Sequence, residues 1–229
     1  EGSGVMEIRD RFSWTGGTLR GSGETRMNSG GTLILEGRRK ELQRRLVTAG
    51  QCEWSSGNIR FSNGTFVNAV GGEMDVTLSG NLEWNGGENR FINEGVIRKV
   101  GEGQLEANAS VGFDNRGEID VQLGSLVLSG GGTSSGEYLL NEGVSLSYTG
   151  GDTVLTETSG LRGAGSVSFT GGNTQIGGAY EMGGLTSISG GRVGFNGDRS
   201  IGEIVLSGGT LEGSGVMEIR DRFSWTGGT

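Results

Sequence analysis

The chain has 229 residues, of which only 32% are hydrophobic; 50 are glycine, none is proline, and the formal net charge is −8. Glycine without a three-residue period and without proline excludes collagen. The acidic balance excludes a general nucleic-acid binder with a basic face, and the absence of histidine removes the usual general base, the usual zinc ligand and every Ser-His-Asp or Cys-His arrangement.

The first stretch, EGSGVMEIRDRFSWTGGT at residues 1–18, recurs without a substitution at residues 212–229, an offset of 212 − 1 = 211 residues. Recurrence at a fixed long period is the signature of a repeat architecture. Residues 1–211 therefore read as one long-period repeat and 212–229 as the start of the next identical one, a window cut from a tandem array. The second copy is expected to present the same surface as the first, one period further on.

Inside the long period runs a shorter one: apolar, any, apolar, then Ser/Thr/Asn-Gly-Gly. Phe12-Ser13-Trp14 opens it, Trp54 stands in a degenerate member, and Leu82-Glu83-Trp84 follows. From Leu128 the leading large residue recurs at Tyr148, Phe169, Ile188, Leu206 and Trp225, in steps of 20, 21, 19, 18 and 19. Alternation puts the two apolar residues of each unit on one face of a strand, and glycine supplies the turn. Two or three strands with glycine corners in about twenty residues make one rung of a solenoid, and rungs stack about 4.8 Å apart. The reading is all-β: a single continuous parallel β-helix of about ten rungs per 211-residue period. Phe12, Trp14, Trp54, Trp84, Leu128, Tyr148, Phe169, Ile188, Leu206 and Trp225 are expected to point inward in one stacked column. Longer steps in the first half predict an extra turn or lateral loops near Arg38 and Glu88.

A second series, Asn68, Asn93, Asn115 and Asn141, with Thr48 in the same slot, predicts an asparagine ladder at a corner, because asparagine tolerates left-handed turns and can bond the rungs above and below. Arg38, Arg39, Lys40, Arg44 and Arg45 place five positive charges in eight residues of an acidic chain. They form a candidate interaction patch for an acidic surface, a neighbouring fibre or an anionic glycan. The alternative is a solvated loop balanced by outward acids, and the lack of glycine allows a short helical turn from Arg38 to Leu46.

Rungs such as FSWTGGTLRGSG, LEWNGGENRFINEG and VSFTGGNTQIGG resemble the repetitive β-helix stretches of large secreted bacterial surface proteins, similar to filamentous-haemagglutinin-type adhesins and autotransporter passengers. The resemblance covers nearly the whole chain but carries no site motif. It implies a right-handed β-helix outside the cell, as a fibre or stalk. The near-exact long period departs from the more divergent rungs of adhesin shafts and favours a fibre-forming array.

The expected function is structural, with copies of the same repeat as partners, no cofactor, no metal, no nucleic acid and no membrane span in this stretch. The alternative is an adhesive module using an outward face or the basic segment. An enzyme is disfavoured: β-helix enzymes that cut acidic polysaccharides use paired acids, whereas Asp114 and Asp120 are merely close in sequence and Asp10 lies between Arg9 and Arg11. Trp14, Trp54 and Trp84 could form a sugar-stacking strip, but their shared phase with Leu128, Phe169 and Leu206 favours the core. Cys52 shares that inward phase, which makes it a buried thiol.

Overall fold

In a computed structural model, which describes residues 2–229, the chain is a parallel β-solenoid of about 11 turns, all strand and corner with no helix among the described residues. Each turn, or coil, lays down three strands on three faces. Face I runs from Arg11–Trp14 through Thr32–Leu35, Gln51–Trp54 and Glu73–Val76 to Ala179–Met182. Face II begins with residues 17–20 and 40–43 and continues through Ile59–Phe61, Gly80–Trp84, Gln104–Ala107 and Ser125–Leu128 to residues 203–206 and 222–225. Face III starts at Val5–Ile8, rises through Thr65–Asn68, Asn89–Asn93 and Val111–Asn115, and is carried on by Gly132–Ser134, Asp152–Leu155, Asn173–Ile176, Arg192–Asn196 and Thr210–Ser214.

The alternation explains why these short segments become strands. In Val167 and Phe169, or Leu126 and Leu128, the apolar members of each unit are buried while Ser166, Ser168, Ser125 and Val127 between them are only half-buried. Strict in-register pairing then places like on like. Phe91 lies against Phe66 and Phe113 with ring centroids 5.2 and 5.1 Å apart, and Tyr148 stacks on Phe169 at 5.4 Å. Offset or edge contacts of this kind add to the area the rings bury.

At the corner from face III to face I, glycine is required by contact rather than by turn geometry. A Cβ on Gly50 would sit 2.2 Å from the Gly31 carbonyl oxygen, one on Gly95 2.2 Å from that of Gly72, and one on Gly117 2.1 Å from that of Gly95. Those same carbonyls accept the amides that open the next strands, Gln51, Val96 and Glu118, at 3.0, 2.9 and 2.9 Å. No side chain fits between backbones this close.

Four expectations need correction. Residues 40–48 form one of the longest strands, not a helical turn: Lys40, Leu42, Arg44, Leu46 and Thr48 point inward at period two. The region near Glu88 is no lateral loop, since Asn89–Asn93 is a regular face III strand. The expected single aromatic column is two columns. Phe12, Trp14 and Trp54 belong to face I, while Leu128, Tyr148, Phe169, Ile188, Leu206 and Trp225 stack in register on face II.

The fourth correction concerns the recurrent segment. In its first copy, Val5–Ile8 lies on face III beside residues 24–27, Arg11–Trp14 on face I beside Thr32–Leu35, and residues 17–20 on face II. In its second copy, residues 217–219 continue face I beside residues 199–201, residues 222–225 lie on face II beside 203–206, and Thr229 starts face III on Gly209. Each strand of the second copy thus lies one face further round than its twin. The 211-residue offset is ten coils and one face, not a whole number of coils, so the two copies do not present the same surface.

Candidate functional site

The basic segment dissolves as a patch once its side chains are placed. Lys40 is fully buried at the corner from face I to face II, where its Nζ donates to the carbonyls of Arg38 at 3.1 Å and Ser56 at 2.9 Å; burial pushes its pKa below the usual lysine value. Arg44 is also buried and donates to the carbonyls of Gly4 at 3.0 Å and Gly23 at 3.2 Å, so it ties three coils together. Arg45 bonds Glu24 at 3.0 Å. Arg38 and Arg39 remain exposed. A buried charge persists where hydrogen-bond acceptors surround it, and corner carbonyls supply them here. Lys99 repeats the device, donating to the Gly101 carbonyl, with its pKa likewise lowered by burial.

The asparagine ladder is internal and shorter than expected. Asn68 Nδ2 donates to Asn93 Oδ1 at 2.8 Å, and Asn93 Nδ2 to Asn115 Oδ1 at 2.8 Å. The same amides donate to the carbonyls of Val96, Glu118 and, from Asn115, Glu137. Thr48 lies below in register, and the Ser134 hydroxyl above accepts from the Asn115 backbone N–H. Asn141 is not part of it: it is exposed, on the corner from face I to face II.

The acids do not converge. Asp114 accepts from Arg90 at 3.0 Å and from the Thr133 amide at 2.8 Å on face III, whereas Asp120 accepts from Gln122 at 2.6 Å on face I. Face I carries outward charge ladders instead, Arg98 with Glu73 and Asp75, and Arg162 with Glu137 and Glu181. Exposed pairs of this kind contribute little each. Among the described residues no three His, Cys, Asp or Glu side chains gather as a metal site, and no helix is long and apolar enough to cross a membrane. Cys52 is buried, and burial with Glu53 and Asp75 nearby drives its thiol pKa well up, the opposite of an activated nucleophile.

Two residues assigned to the core are largely exposed, Trp225 at 61% in the last described coil and Trp84 within the stack. Trp84 is 50% exposed. It stands in register above the buried Phe61, but the strand of the next coil, Gln104–Ala107, ends opposite Leu82. That coil turns at Asn108-Ala109-Ser110, with Ser110 at a φ of 68°, and leaves no strand over the indole. The corner after Trp84 (Asn85-Gly86-Gly87-Glu88) is also wider than the Ser62-Asn63-Gly64 corner below it, and Gly86 and Gly87 take φ of 112° and 69° to close it. Beside this ledge lies a cleft of about 350 Å³ lined by Gly87, Glu88, Arg90, Ser110 and Gly130 among others. Alternation alone did not reveal it. The extra corner residue after Trp84 was its only trace in the sequence.

The chain matches no protein-family model, no curated protein sequence and no solved structure.

Proposed function

We propose that the chain is a structural unit of an extracellular tandem-repeat fibre, stalk or sheath, built by stacking coil on coil and without catalytic activity. The observation that carries this is that the described residues of the recurrent segment, 2–18 and 213–229, lie on the solenoid as continuous, in-register coil at both places. A coil edge is a row of unpaired backbone groups that a following coil satisfies, and in repeat proteins each unit is stabilised by its neighbours. The absence of histidine and the dispersed acids accord with a building role.

Because the offset is ten coils and one face, successive periods in such an array are turned by a third of a revolution. At about 4.8 Å per coil, each period advances about 50 Å, and the array returns to the same azimuth after about 150 Å. Concatenated chains of two, four and six periods test this by electron microscopy. The expected result is unbranched rods that lengthen by about 50 Å per period with a threefold screw. Compact particles whose length does not grow with period number would refute the fibre reading, and rods without the third-turn rotation would refute only the phase.

A second reading, a binding module, is favoured at one place, the exposed Trp84 ledge.

A further inference from the structure

We propose that the ledge at Trp84 is a binding subsite for one ring of a neutral saccharide, stacked on the indole and hydrogen-bonded by Arg90 and Glu88. This inference does not depend on the fibre reading.

The corner device itself is structural, as internal comparison shows. Trp54 donates its indole N–H to the Gly57 carbonyl at 2.9 Å, and Trp84 donates to Gly87 at 3.2 Å three residues on in the same way. Trp54 is 1% exposed. The shared hydrogen bond therefore explains where the ring lies but not why one ring is open. In Trp84 the bond fixes the indole and consumes its only donor, so the open part of the ring offers a π face and little else. Phe61 beneath it prevents collapse inward.

The cleft that shares Gly87 with this contact supplies polar groups. Arg90 is held by Asp114, whose carboxylate is nearly buried and has both oxygens engaged. Its Nη1 is used there, leaving donors on Nε and Nη2 without a protein acceptor among the described residues. Glu88 is exposed and offers acceptors, and Ser110 a hydroxyl. The cleft, whose lining meets the indole only through Gly87, has a volume at the low end of what ligand pockets show, which suits one ring rather than an extended chain. An open aromatic face, a guanidinium held by Asp114 and exposed acceptors around one corner match a pyranose, which has an apolar C–H face and a rim of hydroxyls. The charge count selects the class: Asp114 balances Arg90 and Glu88 is left over, so an anionic sugar is disfavoured.

The test uses the full chain and the methyl glycosides of glucose, galactose, mannose and N-acetylglucosamine, with glucuronic acid as the anionic control, read by tryptophan fluorescence and amide chemical shifts. At least one neutral glycoside is expected to give a saturable change confined to residues 84–90 and 108–114, with glucuronic acid weaker. Trp84→Ala should weaken binding by about tenfold or more while leaving the urea midpoint near wild type, and Trp84→Phe should retain part of the affinity. Glu88→Gln should narrow the gap to glucuronic acid. The proposal is overturned if no neutral glycoside saturates, if the shifts map elsewhere, or if Trp84→Ala binds as tightly as the parent. None of these outcomes bears on rod formation by concatenated periods.

Discussion

The same segment, residues 2–18 and 213–229, folds twice in this molecule and ends on different faces. Phe12 and Trp14 line face I, while their twins Phe223 and Trp225 line face II. Trp14 is 4% exposed, whereas Trp225, in the last described coil with no strand above it, is 61% exposed. Identical local sequence thus gives identical strands and corners but not an identical address. The rule written into the segment is apolar, any, apolar, glycine turn, and that rule fits each of the three faces. Which face a strand occupies is set by counting coils from the strands beneath it.

The largest expected effect tests this directly. Trp14→Ala should destabilise the chain by about 3–5 kcal/mol, because it empties a packed inward position. Trp225→Ala, the same substitution in the same local sequence, should cost about 0.5 kcal/mol or less. Urea melts of the two variants measure the difference. In a two-period concatenate the position equivalent to Trp225 acquires a coil above it and should become as costly as Trp14. Equal costs in the single chain would mean that the second copy is already covered and the face assignment is wrong.

Fold and address differed in how far the sequence revealed them. Glycine corners and period-two alternation are local, so the solenoid was legible from units such as Phe12-Ser13-Trp14-Thr15-Gly16-Gly17. The division of the large residues into two columns was not, because Trp54 and Leu128 obey the same rule on different faces. Lys40 and Arg44 read as a surface patch because a charge run is normally solvated. Their burial depends on accepting carbonyls of Ser56, Gly4 and Gly23, none of them adjacent in sequence. Trp84 read as core because its exposure is decided by where the next coil stops, at Ala107. In each case the missing information lay one or two coils away.

The asparagine ladder sharpens the comparison, since it is a feature that makes one corner unlike the others. It joins face III to face I in the coils of Asn68, Asn93 and Asn115. Asn93→Ala would leave the Asn115 side-chain oxygen and the Glu118 carbonyl without the amide that serves both, at a cost of about 1–3 kcal/mol. Asn141→Ala, at an exposed corner position, should fall within about 0.5 kcal/mol. Matching losses in denaturant melts would show that the corners are interchangeable after all.

The smallest effect in stability asks whether faces I and II seal their interiors equally well. Tyr138 and Tyr180 lie in the face I column and Tyr148 in the face II column, and all three are buried. Burial raises each phenol above its ordinary value of 10.0. The sign follows from the unfolded chain ionising first: the stability these phenols contribute is complete below that ordinary value and is lost as pH climbs towards the raised one. Tyrosinate absorbance should therefore stay absent in the folded chain at about pH 11 and emerge only with loss of the β circular-dichroism signal. The faces differ in one respect. Tyr138 and Tyr180 hydroxyls pair with Ser134 and Thr186 at 2.8 and 2.7 Å, while the Tyr148 hydroxyl has no partner among the described residues. Removing an unpaired buried hydroxyl relieves its desolvation cost, so Tyr148→Phe should be neutral or stabilising by about 1 kcal/mol, and Tyr138→Phe should destabilise by a similar amount by taking the shorter of Ser134's two hydrogen bonds and leaving it only the Asn115 backbone N–H. If one tyrosine ionised near its ordinary value in the folded chain, and Phe at that position left the rest of the titration unchanged, the face carrying it would be open to water and the two faces could not be equivalent addresses for the same segment.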